Sequence, residues 1–282
     1  MRCCEYEEYG EGMRAVGTSA GRGAPASGPA WRGEGPFVAV CTLLFALGAA
    51  GTAYWCGSMG SGMPMPGGWA MSMAWMRMPG QGWPAAAAMF LGMWLLMMLA
   101  MMLPACIQML LGYRQALRQS GTRRLAAPSL LAGGGYFAVQ TAFGALAYPP
   151  GALLGSLAMG SETFARWIPA LTGTVLILAG LVQMTGWKLS QLERCRSEAP
   201  CAIGAADGQN AWMHGVCLGL CCLRCTANLM LVQLVAGVMD LRLMALLTLA
   251  ISAERLAPAP RAVARLVGAV IVAAGIALLS RS

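Results

Sequence analysis

Seven apolar stretches between Pro36 and Ser280 limit what this chain can fold into. A membrane-spanning helix needs about 20 predominantly apolar residues. The stretches are Pro36–Cys56, Ala85–Leu111, Leu130–Ala147, Trp167–Leu189, Trp212–Val238, Leu241–Leu256 and Ala262–Ser280. Backbone groups in lipid must be satisfied within the spanning structure, which excludes irregular or open-sheet alternatives. The expected fold is therefore all-α: a polytopic integral membrane helical bundle of about seven transmembrane helices. The composition agrees, with 58% hydrophobic and only 11% charged residues, against about 25% charged in soluble domains.

Residues 1–35 have no apolar core that would make a signal peptide, and Gly10, Gly12, Gly17, Gly21, Gly23 and Pro25 mark them as a disordered N-terminal tail. The transmembrane domain then covers 36–282. Eleven cysteines, an odd number placed mostly in or near apolar segments, argue against a secreted disulfide framework. The net charge of +8 reads as topology, since no basic run alternates with aromatics and Lys188 is the only lysine. No nucleic-acid partner is expected; the lipid bilayer is.

Seven spans place Arg2, Arg14, Arg22 and Arg32 on the same side as Arg114, Arg118, Arg123 and Arg124. Lys188, Arg194, Arg196, Arg255, Arg261 and Arg265 fall on that side too. Arg77, Arg166, Arg242 and Arg281 face the other side, and Arg224 lies within a span. Basic residues concentrate in cytoplasmic loops. The expected location is the bacterial cytoplasmic membrane, with the N-terminus in the cytoplasm and the C-terminus in the periplasm. The first loop, Gly57–Pro84, then faces outward with Met59, Met63, Met65, Met71, Met73, Met76 and Met78. Gly, Pro and Ser between these methionines disfavour a regular helix. Trp69, Trp75 and Trp83 suit the headgroup zone.

The fifth stretch carries the chemistry. It holds the only histidine, His214, and then Cys217, Cys221, Cys222 and Cys225. At about 100° per residue, His214, Cys217, Cys221, Cys225 and Asn228 share one helix face about 80° wide, and Cys222 projects elsewhere. A stripe about 16 Å long cannot place both ends on one ion. Adjacent members such as Cys217/Cys221 or Cys221/Cys225 can share one, since i and i+4 side chains meet. A second helix must complete the set. In the second stretch Met98, Met102, Cys106 and Met109 also lie on one face, and counting from the cytoplasmic edges sets Cys106 beside Cys217 at about 7 Å depth. Soft sulfur donors select Cu(I), and Arg224 lies where it would offset thiolate charge. The competing reading is packing, because cysteine and methionine also serve as adaptable apolar filler in helix contacts. Cys195 and Cys201 form a weaker candidate pair in the fourth loop. Glu254 beside Arg255 reads as an ion-paired helix end.

Three blocks resemble a known bacterial family of uncharacterised integral membrane proteins described as predicted metal-binding. The first is Trp94–Pro104, reading Trp-Leu-Leu-Met-Met-Leu-Ala-Met-Met-Leu-Pro. The second is Gln183–Lys188 followed by Cys195–Ser197, and the third runs from His214 through the cysteines to Asp240, Leu241 and Glu254–Leu256. The resemblance covers about residues 85–282. The family often shows Lys-x-x-Cys-Leu-x-x-Cys-Arg, and here Gln191 stands at the first of those cysteines; Leu220 and the added Cys225 also depart from its pattern. The resemblance implies metal binding without naming a reaction.

The expected function is the binding or handling of a soft metal ion, copper above all, by an intramembrane site. Its expected ligands are His214, Cys217, Cys221, Cys225, Cys106, Met98 and Met102, with a periplasmic metal donor as partner at the outward loop. Two other classes compete: a membrane thiol-disulfide oxidoreductase using Cys221, Cys222 or Cys225, and a non-catalytic assembly subunit. The sequence favours a non-enzyme.

Overall fold

A computed structural model describes residues 34–59, 62–66, 69–76, 80–119, 121–122, 124–197 and 208–281. The N-terminal tail, Cys3, Cys4, Met78 and Cys201 lie outside the described residues. Among the described residues the chain forms eight α-helices and one small hairpin. The helices are α1 (Gly35–Met59), α2 (Trp83–Gln119), α3 (Ala126–Gly160), α4 (Glu162–Met184), α5 (Gly186–Ser197), α6 (Gly208–Ala236), α7 (Leu241–Leu256) and α8 (Pro260–Leu279). Six of them, all but α5 and α7, are long and apolar enough to cross a membrane. Helix α7 spans 16 residues, about 24 Å at 1.5 Å per residue. Large apolar side chains such as Leu47, Leu146, Leu153, Leu249, Leu266 and Val270 stay exposed on the bundle surface.

Glycine sets how close some helices come. Helices α4 and α8 pack face to face, where a Cβ on Gly180 would lie 2.7 Å from the Gly268 carbonyl oxygen and one on Gly275 2.8 Å from that of Gly173. Helices α3 and α6 approach in the same way at Gly135 and Gly215, where a Cβ would strike backbone. Small residues that bring backbones together drive association where lipid removes the hydrophobic incentive. Helix α2 packs chiefly on α1, α3 and α7. Its C-terminal end is tied to the start of α1 by Glu34, which pairs with Arg114 at 2.7 Å and Arg118 at 2.6 Å.

Two features refine the sequence expectations. The apolar stretch Trp167–Leu189 is not one helix. Thr185 leaves helical geometry at φ −68° and ψ 152°, and its hydroxyl donates to the Val182 carbonyl at 2.7 Å and accepts from the Lys188 amide at 3.4 Å. That hydroxyl closes α4 and starts α5, which runs on to Ser197 where the sequence suggested a loop. The methionine loop folds as well. Met63–Met65 and Trp69–Met71 pair antiparallel, with Met63 opposite Met71 and Met65 opposite Trp69. Gly62 enters the hairpin at φ 81°, where a side chain would strike the Met71 carbonyl. The hairpin is anchored by a hydrogen bond from Trp69 Nε1 to the Ala165 carbonyl at 3.0 Å. The following turn is held by Trp75 against Phe90, their ring centroids 5.1 Å apart.

Candidate metal centre

Cys221 and Cys225 lie one turn apart on α6, so their side chains share a face. That face meets α5. Helix α5 restarts beyond Thr185 and carries Lys188 and Cys195, seven residues apart and within about 20° of each other around the helix. Among the described residues, Cys195, Cys221 and Cys225 converge, with sulfur atoms all within 4.8 Å of one another and all three side chains buried. Cys195 Sγ lies 3.0 Å from the Cys221 carbonyl, and Cys225 Sγ lies 3.2 Å from the carbonyl of Gln191. Gln191, standing where the resembling family carries a cysteine, thus borders the cluster directly.

Cys195 and Cys225 meet as a disulfide pair with Cα atoms 7.3 Å apart. Disulfides usually join Cα atoms about 4.4–6.8 Å apart. Reduced, the pair gives two of three thiols at one place, with Cys221 as the third. Three thiolates are a donor set for soft ions such as Cu(I) or for zinc.

A buried polar network backs the cluster. The Lys188 ammonium, 1% exposed, donates to the Cys225 carbonyl and pairs with Glu254 Oε2 at 3.2 Å. Gln183 donates to Glu254 Oε1, and Asn228 donates to Gln183 Oε1 at 3.1 Å and to the Ala179 carbonyl at 2.6 Å. Glu254 is therefore bound into the bundle interior by Lys188, where the sequence suggested only an ion-paired helix end with Arg255. A buried ion pair rarely adds stability over an apolar pair of the same shape. A positive group fixed against the backbone of a thiol-bearing turn does stabilise thiolate there. Arg224 is exposed, and the Lys188 ammonium reaches the cluster backbone at the Cys225 carbonyl. Outside the spans, Glu193 on α5 receives a 2.5 Å hydrogen bond from Arg261, which holds its carboxyl below the usual range.

The other residues expected to ligate are placed apart from this centre. His214 stacks on Tyr113 of α2, with ring centroids 4.4 Å apart, near the N-terminal end of α6. Cys217 is half-buried, one turn before Cys221. Met98, Met102 and Cys106 are buried in the main core with Cys222 and Tyr136, and the Tyr136 hydroxyl lies 3.0 Å from Cys222 Sγ. With Tyr113 stacked on His214, Cys106 stands seven residues toward the N-terminus of α2, which by helical rise sets it level with Cys221 and Cys222, one turn beyond the register counted from the span edges. Helix α6 packs most closely on α3. Sequence reasoning gave Lys188 no role as a ligand, and placed Cys195 in a weak loop pair with Cys201 and in the Lys-x-x-Cys-Leu-x-x-Cys-Arg pattern of the resembling family. The seven-residue spacing of Lys188 and Cys195 gives one face only if the segment is helical.

Comparison with curated proteins and with solved structures gives no match. A family model described as PpoB2, copper chaperone, matches residues 91–278. That match takes in most of α2, all of α3 to α7 and nearly all of α8, including the three convergent cysteines. The chain belongs to the PpoB2 copper chaperone family.

Proposed function

We propose that this protein binds Cu(I) within a bacterial cytoplasmic membrane and hands it on, with Cys195, Cys221 and Cys225 as the holding site. The observation that carries the reading is the convergence of three buried sulfur atoms within 4.8 Å across two helices. Membership of a copper chaperone family supports the choice of ion, and thiolate donors favour Cu(I) over harder ions. The exposed apolar belt and six apolar helices support a bilayer setting. The distribution of arginine and lysine supports a cytoplasmic N-terminus and a periplasmic C-terminus, with α7 as a short seventh crossing. The methionine hairpin then faces the periplasm, where thioethers would accept Cu(I) from a donor. His214 and Cys217 line the inner end of α6, where they would take the ion as it leaves.

The test is Cu(I) affinity of the reduced, detergent-purified chain, measured by competition with a chromophoric chelator. Cys195→Ser should weaken the tightest site at least about tenfold, since a thiolate is a far better soft donor than a hydroxyl. Unchanged affinity in Cys195→Ser, Cys221→Ser and Cys225→Ser would exclude this centre.

A thiol-disulfide oxidoreductase remains a second reading, favoured by the pairing of Cys195 with Cys225 beside a third thiol. It predicts that the pair cycles with a membrane oxidant and that Cys221→Ser leaves metal content unchanged.

A further inference from the structure

The segment Gly57–Pro84 has a one-sided composition. It holds no Leu, Ile, Val or Phe, so methionine and tryptophan supply all its large apolar side chains. It also holds no Asp, Glu, His or Cys. β-Branched and aromatic residues suit a strand better than methionine does, yet methionine takes three of the six paired positions in the hairpin. Leucine or isoleucine would serve packing as well.

Strand pairing gathers these thioethers. Met63 stands directly opposite Met71, and Met65 opposite Trp69. Opposed residues share a face, and alternation puts Met63, Met65, Trp69 and Met71 on one side with Pro64 and Ala70 on the other. Pro64 and Ala70 are exposed, Met65 and Trp69 are half-buried, and Met71 is buried. Directly opposed Cβ atoms lie about 4.5–5.5 Å apart, and diagonal neighbours such as Met65 and Met71 about 7–8 Å, within reach of long side chains. Methionine is unbranched and adaptable, so the three sulfurs can close on one ion.

The shared face is fixed on the bundle. Met71 Sδ lies 3.6 Å from where a Cβ on Gly155 would stand, and one on Gly151 would strike the Trp75 ring. Two glycines one turn apart on α3 thus make a trough for Met71 and Trp75, and Trp69 Nε1 holds the strand to the Ala165 carbonyl. Met63 is 41% exposed. A buried thioether and a solvent-facing one in the same cross-strand pair give an ion a fixed ligand and an open way in.

We propose that Met63, Met65 and Met71 form an outer Cu(I) site, separate from the cysteine centre. Thioether sulfur is a soft donor that selects Cu(I), and the segment offers a hard ion no carboxylate. Thioethers carry no proton to lose, so the ion binds with no proton released and no change of oxidation state. Acceptance of the ion from a periplasmic donor rests on the function proposed above; the site itself does not.

The test uses Ag(I), a soft ion of the same charge, and the reduced, detergent-purified full chain. Hydrogen peroxide converts free thioethers to sulfoxides, and mass spectrometry reads each methionine separately. Ag(I) in excess over the thiols should slow oxidation of Met63 at least about tenfold, because a lone pair bound to the ion is closed to oxidant. Met159 and Met213, 49% and 44% exposed, should oxidise at their former rates. Protection of Met63 should persist in Cys195→Ser/Cys221→Ser/Cys225→Ser, at mildly acid as at neutral pH, and vanish in Met71→Leu, which keeps an apolar side chain over Gly155. If Met71→Leu does not fold, Met63→Leu, at an exposed position, should bind about one Ag(I) fewer than the parent, having lost one soft donor. Equal oxidation of Met63 with and without Ag(I), protection retained in Met71→Leu, or equal Ag(I) in the parent and Met63→Leu overturns the hairpin site and leaves the cysteine centre standing. Protection of Met63 together with undiminished Cu(I) affinity in the triple serine variant overturns the cysteine centre and leaves the hairpin site.

Discussion

The two sides of helix α6 are built differently. Toward α3 it presents Gly215 and Gly219, where a Cβ on the first would strike the Ala132 carbonyl and one on the second would lie 3.0 Å from that of Tyr136. Toward α5 it presents Cys221 and Cys225 to a third thiol and a buried lysine. If the cysteines were small packing residues, they would belong where backbones touch. Glycine fills that role here. Cys221 and Cys225 lie instead where the neighbouring helix is short, polar and cationic, and small size alone does not account for them there.

The largest expected effect comes from breaking the charge that supports the cysteine side. Lys188→Met takes the ammonium from Glu254 and should cost about 3–5 kcal/mol, read as a fall in thermal stability in detergent. Lys188→Met/Glu254→Gln should recover most of that loss while Cu(I) affinity stays reduced. Full recovery of both would mean that the lysine serves only as counter-charge. Next in size, Gly215→Leu attacks the other side. Overpacking against backbone should cost about 1–3 kcal/mol or more, and no Cu(I) loss is expected beyond the unfolded fraction.

How much of this was legible follows from which forces act locally. The apolar stretches reveal six helices long enough to span and the shorter Leu241–Leu256, because hydrophobic length is a property of the segment itself. The shared face of Cys221 and Cys225 follows from helical repeat alone. The closeness of Cys195 to α6 was hidden by the break at Thr185: a stretch read as one span plus loop is two helices, and the second brings Cys195 back onto α6. The pairing of Lys188 with Glu254 joins residues 66 positions apart and leaves no local trace. The one-turn shift between α2 and α6 follows from the stacking of Tyr113 on His214, a side-chain contact that no count from span edges anticipates.

Smaller effects sharpen the comparison. Cys221→Ser should lose Cu(I) while changing stability by only about 1 kcal/mol, separating ligand from filler by comparing metal content with the melting curve. Smallest of all is Glu193→Gln, which removes an exposed pair with Arg261. The Glu193 carboxyl is held below its ordinary value by the Arg261 hydrogen bond. Its contribution is present above the ordinary carboxylate range and lost as pH falls through the lowered folded value. Melting at neutral pH should scarcely move in Glu193→Gln, and the acid-side difference between variant and parent should vanish.

The most direct test of the thiol centre is the Cu(I) content of the reduced, purified chain when three thiols are removed together. Cys195→Ser/Cys221→Ser/Cys225→Ser should bind one equivalent less than the parent, whereas Cys41→Ser/Cys56→Ser, which removes thiols elsewhere in the bundle, should bind as much as the parent. Equal copper in the parent and the first variant, or equal loss in both variants, would contradict the account.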